Sequence, residues 1–423
     1  MRVLERSAGS DTEAERERIA PVPRISLQAF CETPDLAALI NESCADRRMD
    51  KAHAKVHMGG APAAVEAFRS APTPNVIVIE SAADRAELVA HLDSLSEFCD
   101  AGTKVIVAGR VNDITLFREL MARGVSEYLV MPFGVLDFIR AVSSLYTSEG
   151  ADRLGRIVAV TGAKGGVGAS SIAHNMAWSI ARSFETQTII ADLDLAFGTT
   201  GLDFNQDPPQ GIAEAVFAPE RLDTNLLDRL LSKCSDRLSI LAAPATADRA
   251  YDLHENAFDA IVDILRSSVP CSILDVPHTW TSWSRRMLVG ADEVVVAAAP
   301  DLANLRNAKS LFDALRAARP NDAKPKLVLN FVGVPKRPEI STKDFAKAVE
   351  AEPLAVIPFE AKLFGTAANN GQMVAEVEAN SKVADILDEI GRSVLGRAEM
   401  RKTKRALLDP LMSRLRLKAS RAN

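Results

Sequence analysis

Between Val158 and Ser171 the chain reads Val-Ala-Val-Thr-Gly-Ala-Lys-Gly-Gly-Val-Gly-Ala-Ser-Ser. The glycines at 162, 165, 166 and 168 free main-chain N–H groups to face an anion, as in the pattern G-x-x-x-x-G-K-[ST] of a phosphate-binding loop. Gly162 and Gly168 hold the frame, Ala163 and Val167 lie inside it, and Ser170 stands where that pattern places a magnesium-binding hydroxyl. Its lysine is missing: Ala169 occupies the position, while Lys164 lies five residues earlier within the loop. Phosphate binding is the chemistry this spacing supports, with a nucleotide switch favoured over rapid turnover.

Further residues fit the same chemistry. Ser171 leads into a helix expected over 172–181, which places a bound phosphate at a helix N-terminus. About twenty residues on, Ile-Ala-Asp-Leu-Asp sets Asp192 and Asp194 at the end of a strand. Cys-Ser-Ile-Leu-Asp then brings Asp275 to the end of another apolar run, a carboxylate suited to holding hydrated Mg²⁺ through water. Asn330, ending a third run, offers a purine both a donor and an acceptor.

A competing pattern is the T-G-x-x-x-G-x-G loop of NAD(P)-dependent short-chain dehydrogenases, with Asp192 or Asp194 taking a ribose hydroxyl. Those enzymes need a later Tyr-x-x-x-Lys pair to move a proton. Tyr251 is the one tyrosine after the loop, and Glu255 stands where the lysine belongs. That chemistry lacks its acid.

Two series of α/β units must position these groups. Strand-like runs are expected over 25–31, 54–57, 75–79, 104–108 and 128–131, separated by helical spacing, which predicts a flavodoxin-like doubly wound sheet. A second alternation has runs over 157–161, 188–191, 238–242, 272–275, 293–298 and 326–330, each apolar enough for a buried parallel strand. The expected organisation is disorder over 1–22, a first domain over 23–147, a linker over 148–156, a nucleotide-binding domain over 157–396 and a basic tail over 397–423. Five scattered cysteines without a C-x-x-C pair read as reduced cytosolic thiols. No signal-peptide or transmembrane stretch is evident, and a net charge of −6 argues against a surface that coats DNA.

The segments Lys164-Gly-Gly-Val-Gly, Ala191-Asp-Leu-Asp-Leu and Leu274-Asp-Val-Pro resemble the deviant Walker motifs of the ParA/MinD ATPases. The stretch from Ile357 through Pro358 to Ala-Ala-Asn-Asn-Gly-Gln372 is similar to the CpaE/TadZ branch, the localisation ATPases of tight-adherence (Flp) pili. This resemblance implies ATP and Mg²⁺ as cofactors, with Lys164 crossing to the nucleotide of a partner subunit in a sandwich dimer. It implies Ser170 and Asp275 as magnesium residues with Asp192 beside the metal, Asp194 positioning the attacking water, and Asn330 and Pro358 near adenine. Ala169 departs from the family pattern. Losing one charge-assisted bond of about 1.5–3 kcal/mol predicts roughly 10–100-fold weaker ATP binding. It also predicts slow or negligible hydrolysis, because a positive charge that would stabilise the anionic transferring phosphoryl group is gone.

The first domain resembles a response-regulator receiver with its chemistry replaced. Glu80 ends strand three, Glu32 and Thr33 follow strand one, and Met131 precedes Pro132 where receivers carry lysine. A docking or dimerisation surface is therefore expected. His53 and His57 are read as solvated, and Trp280 and Trp283 as packing residues. The basic tail is read first as solvated or locally docked, with contact to an anionic membrane as the alternative; the expected location is cytoplasmic, with a pole or the inner-membrane surface as the finer alternatives. Expected partners are a second copy through the ATPase domain, the pilus secretion machinery and polar localisation proteins. The alternative is a DNA-partition ATPase binding through the tail, which the negative body charge disfavours.

Overall fold

The computed structural model describes residues 19–146, 154–244 and 250–396. Two sheets account for them. The first has five parallel strands, β1 Ile25–Cys31, β2 Ala52–Met58, β3 Val76–Ser81, β4 Lys104–Gly109 and β5 Glu127–Val130, in the order β2-β1-β3-β4-β5. This is the expected doubly wound order. Its direction reverses between β1 and β3, so Glu32, Thr33 and Glu80 meet at the switch point, where such sheets place their sites. Apolar residues fill both faces, Leu27, Ala29 and Phe138 on one and Ile77, Ile79 and Leu120 on the other.

The first boundary moves. Ile19 and Val22 were expected in a disordered arm, yet both are buried in the first core. Val22 N–H donates to Arg48 O at 2.8 Å, and Ser143 Oγ donates to Ala20 O at 2.8 Å.

The second sheet has eight strands: β6 Arg156–Gly162, β7 Thr188–Asp192, β8 Ser232–Lys233, β9 Leu238–Leu241, β10 Cys271–Asp275, β11 Glu293–Ala298, β12 Lys326–Val332 and β13 Pro353–Pro358. Their order is β13-β12-β11-β6-β10-β7-β9-β8, parallel throughout except for the antiparallel β8–β9 edge. Six of these strands match expected runs, and two were missed for physical reasons. β8 is two residues long, and β13 is an edge strand with proline at both ends and mixed burial, not a continuous apolar run. The expected linker also shortens, because Gly155 N–H bonds Arg266 O at 2.6 Å and Arg156 N–H bonds Pro270 O at 2.8 Å.

β6, β7 and β10 are buried along almost their whole length, because Val158, Val160, Ile190 and Ile273 face one layer while Ile157, Ala159, Ile189 and Leu274 face the other. Helices Ala169–Ser183 and Lys382–Val394 cover the first face. Asp259–Ser268, Ser282–Gly290, Leu302–Ala318 and Thr342–Val349 cover the second. β6 sits between β10 and β11, so the loop at its C-terminal end opens at the second switch point.

Candidate nucleotide-binding site

The loop leaves β6 at Gly162 and ends at Gly168, the N-cap of helix Ala169–Ser183, with φ +83°. No other residue type suits Gly168: a Cβ there would meet Asn330 Nδ2 at 2.5 Å, and the left-handed backbone strains any L side chain. Gly165 is held by close approach instead, since its Cβ would lie 2.9 Å from His278 Cε1. Ala163 and Val167 are buried beneath the loop, Gly166 is exposed at its crest, and Ser170 and Ser171 are half-buried in the first helical turn. Ala169 packs partly against the underlying core. Lys164 is exposed; its charge, after the bonds from Asn304, helps hold the Asp301 carboxyl low against burial.

Asp192 and Asp275 sit opposite each other in the β7–β10 pairing, both buried. Asp192 Oδ2 accepts from Thr200 N–H at 3.1 Å and Thr200 Oγ1 at 2.8 Å, and Oδ1 accepts from Asp194 N–H at 3.1 Å. The structure thus uses Asp192 to fold the 192–200 loop. Burial beside Asp275 pushes its carboxyl up to about 6, against the opposing pull of His174 and Thr200. Asp194 Oδ1 caps the next turn, accepting from Phe197 N–H at 3.0 Å and Ala196 N–H at 3.3 Å. Asp194 remains half-buried at the rim.

His174 lies one helical turn beyond Ser170, fully buried. Its Nδ1 lies 2.7 Å from Asp203 Oδ2, and its Nε2 lies 3.0 Å from Thr200 Oγ1 and 3.4 Å from Asp275 Oδ2. Burial opposes an imidazolium, but the bonds to Asp203 and Asp275 push its pKa up to about 10. A cation among these carboxylates relieves the repulsion between two buried negative charges. Sequence reasoning missed His174, although the i, i+4 spacing from Ser170 was its signal.

Asn330 is buried under the loop, with Nδ2 donating to Val167 O at 2.9 Å and Oδ1 buried without a partner among the described residues. Asn307 Nδ2 donates to Ala163 O at 3.0 Å, a second brace that sequence reasoning did not single out. Asn175 Nδ2 donates to Ser171 O at 2.8 Å while its Oδ1 accepts Val374 N–H at 2.7 Å, tying the loop's helix to the chain after the Ala-Asn-Asn-Gly-Gln stretch. Pro358 closes β13, where Phe359 stacks edge-on against Phe331 at 6.2 Å. Tyr251 stacks on Phe217 at 6.1 Å and packs against the core.

The receiver-like site is closed by its own side chains. Glu80, buried, accepts from Glu32 N–H at 2.7 Å, Thr33 N–H at 2.8 Å and Thr33 Oγ1 at 2.7 Å. Glu32 returns the contact by accepting Ala82 N–H at 2.9 Å. His57 stacks on Phe30, and no group of three or more His, Cys, Asp or Glu among the described residues is arranged to hold a metal by itself. Trp283 is buried against Phe258, whereas Trp280 is half exposed. The tail over 397–423 and residues 147–153 of the expected linker lie outside the described residues.

The glycine loop at a parallel-sheet switch point and the two strand-end aspartates after it belong to the larger of two doubly wound α/β domains. No family model matches the chain. A pilus assembly protein CpaE from Caulobacter crescentus is 49% identical, aligning 31% of this chain with 100% of that one at a TM-score of 0.30. That identity falls in the N-terminal part. The septum site-determining protein MinD from Pyrococcus horikoshii, solved with Mg-ADP, is 17% identical over 57% of this chain and 96% of that one, TM-score 0.51. MinD of Synechocystis is 24% identical over 251 residues, 57% of this chain and 90% of that protein. The chain belongs to the CpaE pilus-assembly family within the ParA/MinD superfamily.

Proposed function

We propose that the chain binds ATP with Mg²⁺ at the loop over 162–171 and acts as an ATP-gated homodimer that places a pilus secretion machinery, with hydrolysis slow or absent. The observation that carries this reading is the rim around the loop. Phe197 (79% exposed), Leu202 (74%), Trp280 (50%) and Leu302 (74%) stand on segments that follow β7, β10 and β11 at the same end of the sheet as the loop. Exposed apolar side chains grouped about one site mark an interaction surface, and Lys164 stands exposed among them.

The residues present fit a magnesium nucleotide. Gly168 and Gly165 leave no room for side chains where the loop closes, Ser170 lies in the first helical turn, and Asp275 lies 3.4 Å from His174 one turn on. Magnesium usually keeps several waters and binds through one or two protein groups plus phosphate, which suits a site without its own acidic cage. The ion would neutralise phosphate charge; Ser170 and Asp275 would hold it, with His174 and Asp192 fixing the ground beneath. Asn330 braces the loop and keeps Oδ1 for a donor on the ligand. Asp194 would orient water at the half-buried rim, and Lys164 would reach the second copy's phosphates. Attachment to polar partners or to an anionic membrane through residues 397–423 belongs to the same proposal.

The test is calorimetry with MgATP combined with light scattering on the same sample. The native chain is expected to bind and dimerise; Lys164→Ala is expected to bind but stay monomeric. Ala169→Lys should tighten binding by roughly 10–100-fold, the reverse of the lost charge-assisted bond. A native chain that takes up no nucleotide at millimolar MgATP, or a Lys164→Ala chain that dimerises normally, would refute the reading.

A further inference from the structure

We infer that the receiver-like domain is a clamp on helix Ser282–Gly290, through which it sets the order of the loop following Asp275. Two grips meet that helix. At its end, Arg47 Nη1 donates to Gly290 O at 3.1 Å, satisfying a carbonyl the helix itself leaves open. The same guanidinium makes a two-pronged contact with Asp322, Nε to Oδ2 at 2.6 Å and Nη2 to Oδ1 at 3.1 Å, and lies 3.7 Å from Asp292. One turn earlier, Arg286 bonds Asp259 Oδ1 through Nε at 2.9 Å and Asp50 of the receiver-like domain through Nη2 at 2.7 Å.

The first grip is buried. Arg47, Asp322 and Asp292 side chains are 8%, 6% and 7% exposed, and Arg48 and Arg319 also contact Asp322. Asn321 Nδ2 donates to Asp46 Oδ2 at 3.0 Å beside them. Charges this deep hold one relative placement, because leaving either partner unpaired is costly. The second grip is a rim, where Lys51 also pairs with Asp263.

The far end of the helix leads to the candidate site. Thr281 caps it by accepting Ser284 N–H at 3.3 Å, and Ser284 Oγ donates back to Thr279 O at 2.6 Å. Trp283 is wedged against Phe258 at 4.9 Å. Three residues before the cap, His278 lies against Gly165 of the phosphate loop. A nine-residue helix is a short stiff rod, so restraint at Arg286 and Gly290 reaches the 276–281 segment. The receiver-like domain, its own acidic site occupied by Glu80, contributes position in place of phosphorylation.

Hydrogen exchange on the full chain without nucleotide tests this. In Arg47→Ala, and in the rim variant Asp50→Ala/Lys51→Ala should the first fail to fold, exchange over 276–284 is expected to rise about threefold or more, with β12 unchanged. Faster exchange confined to 44–52, with 276–284 as in the native chain, would overturn the clamp. The reach of the clamp to ligand binding rests on the proposed function, and calorimetry reads it as a several-fold shift in MgATP affinity between native chain and variant. A native chain that binds no MgATP sinks the nucleotide reading alone, because the exchange readout needs no nucleotide.

Discussion

Glu80 shows how one residue settles what a domain does. At the phospho-acceptor position of a receiver it carries one methylene more than aspartate, and that reach brings its carboxylate onto the N–H groups of Glu32 and Thr33. Glu32 in turn reaches Ala82, so the ends of β1 and β3 are fastened reciprocally. Burial, with the Glu80 charge nearby, pushes the Cys31 thiol up to about 12, leaving it inert at neutral pH. Replacing Glu80 with Ala leaves three part-buried donors without their charged acceptor, and a loss of about 3 kcal/mol follows from about 1 kcal/mol for each hydrogen bond. Glu80→Gln keeps one acceptor oxygen and should lose less. Denaturant unfolding followed in the first domain decides it; a loss under about 1 kcal/mol for the alanine variant would contradict the clasp. Much at this scale was legible: the loop residues, the strand-end aspartates and Glu80 all lie where their spacing put them. The His174 network was not, because its partners Asp203 and Asp275 come from other elements and only folding brings them to one imidazole.

Elements were legible wherever burial writes a continuous apolar run, as in Val158–Val160 or Val294–Val296, and failed where an edge breaks the run, as in β13. The Ala-Asn-Asn-Gly-Gln stretch, read as a family mark, turns out to be the end of helix Ala361–Asn370. Gly371 ends it with φ +61°, and a Cβ there would lie 2.8 Å from Leu202 O. Its close approach seats the helix end on Thr200–Asp203, the segment that carries Thr200 and Asp203 to His174. Gly371→Ala is therefore expected to cost about 1–2 kcal/mol through left-handed strain and backbone collision. Thermal melting measures that cost, and hydrogen exchange should show the 200–205 segment loosened first. An unchanged melt would mean the helix end is free to shift.

At the scale of the whole molecule, the seam between the domains was invisible in the sequence, since Arg47 and Asp322 stand 275 positions apart. Burial opposes the charge on Asp322, but Arg47, with Arg319 and Arg48, holds its carboxyl below the ordinary value of 3.8. A folded pKa below the unfolded one means this stabilisation is complete above about pH 4 and is lost as pH falls through the lower folded value. Native chain and Asp322→Asn should thus differ by about 3 kcal/mol near neutral pH, the scale of a broken buried pair. The gap should narrow steadily below about pH 4. Urea midpoints across that range check the sign; a gap that widens in acid would count against the seam's charge pairing.

Ile19 and Val22 lie upstream of β1 yet belong to its core, with Ala20 held by Ser143 and Val22 by Arg48. Arg48 is also part of the seam through Asp322. Trimming the chain at residue 23, where a domain cut would naturally be made, removes two core side chains and the main-chain bond to Arg48 of the seam at one stroke. A fluorescent tag intended to follow the protein in living cells therefore belongs ahead of Ile19, not at the start of the first strand.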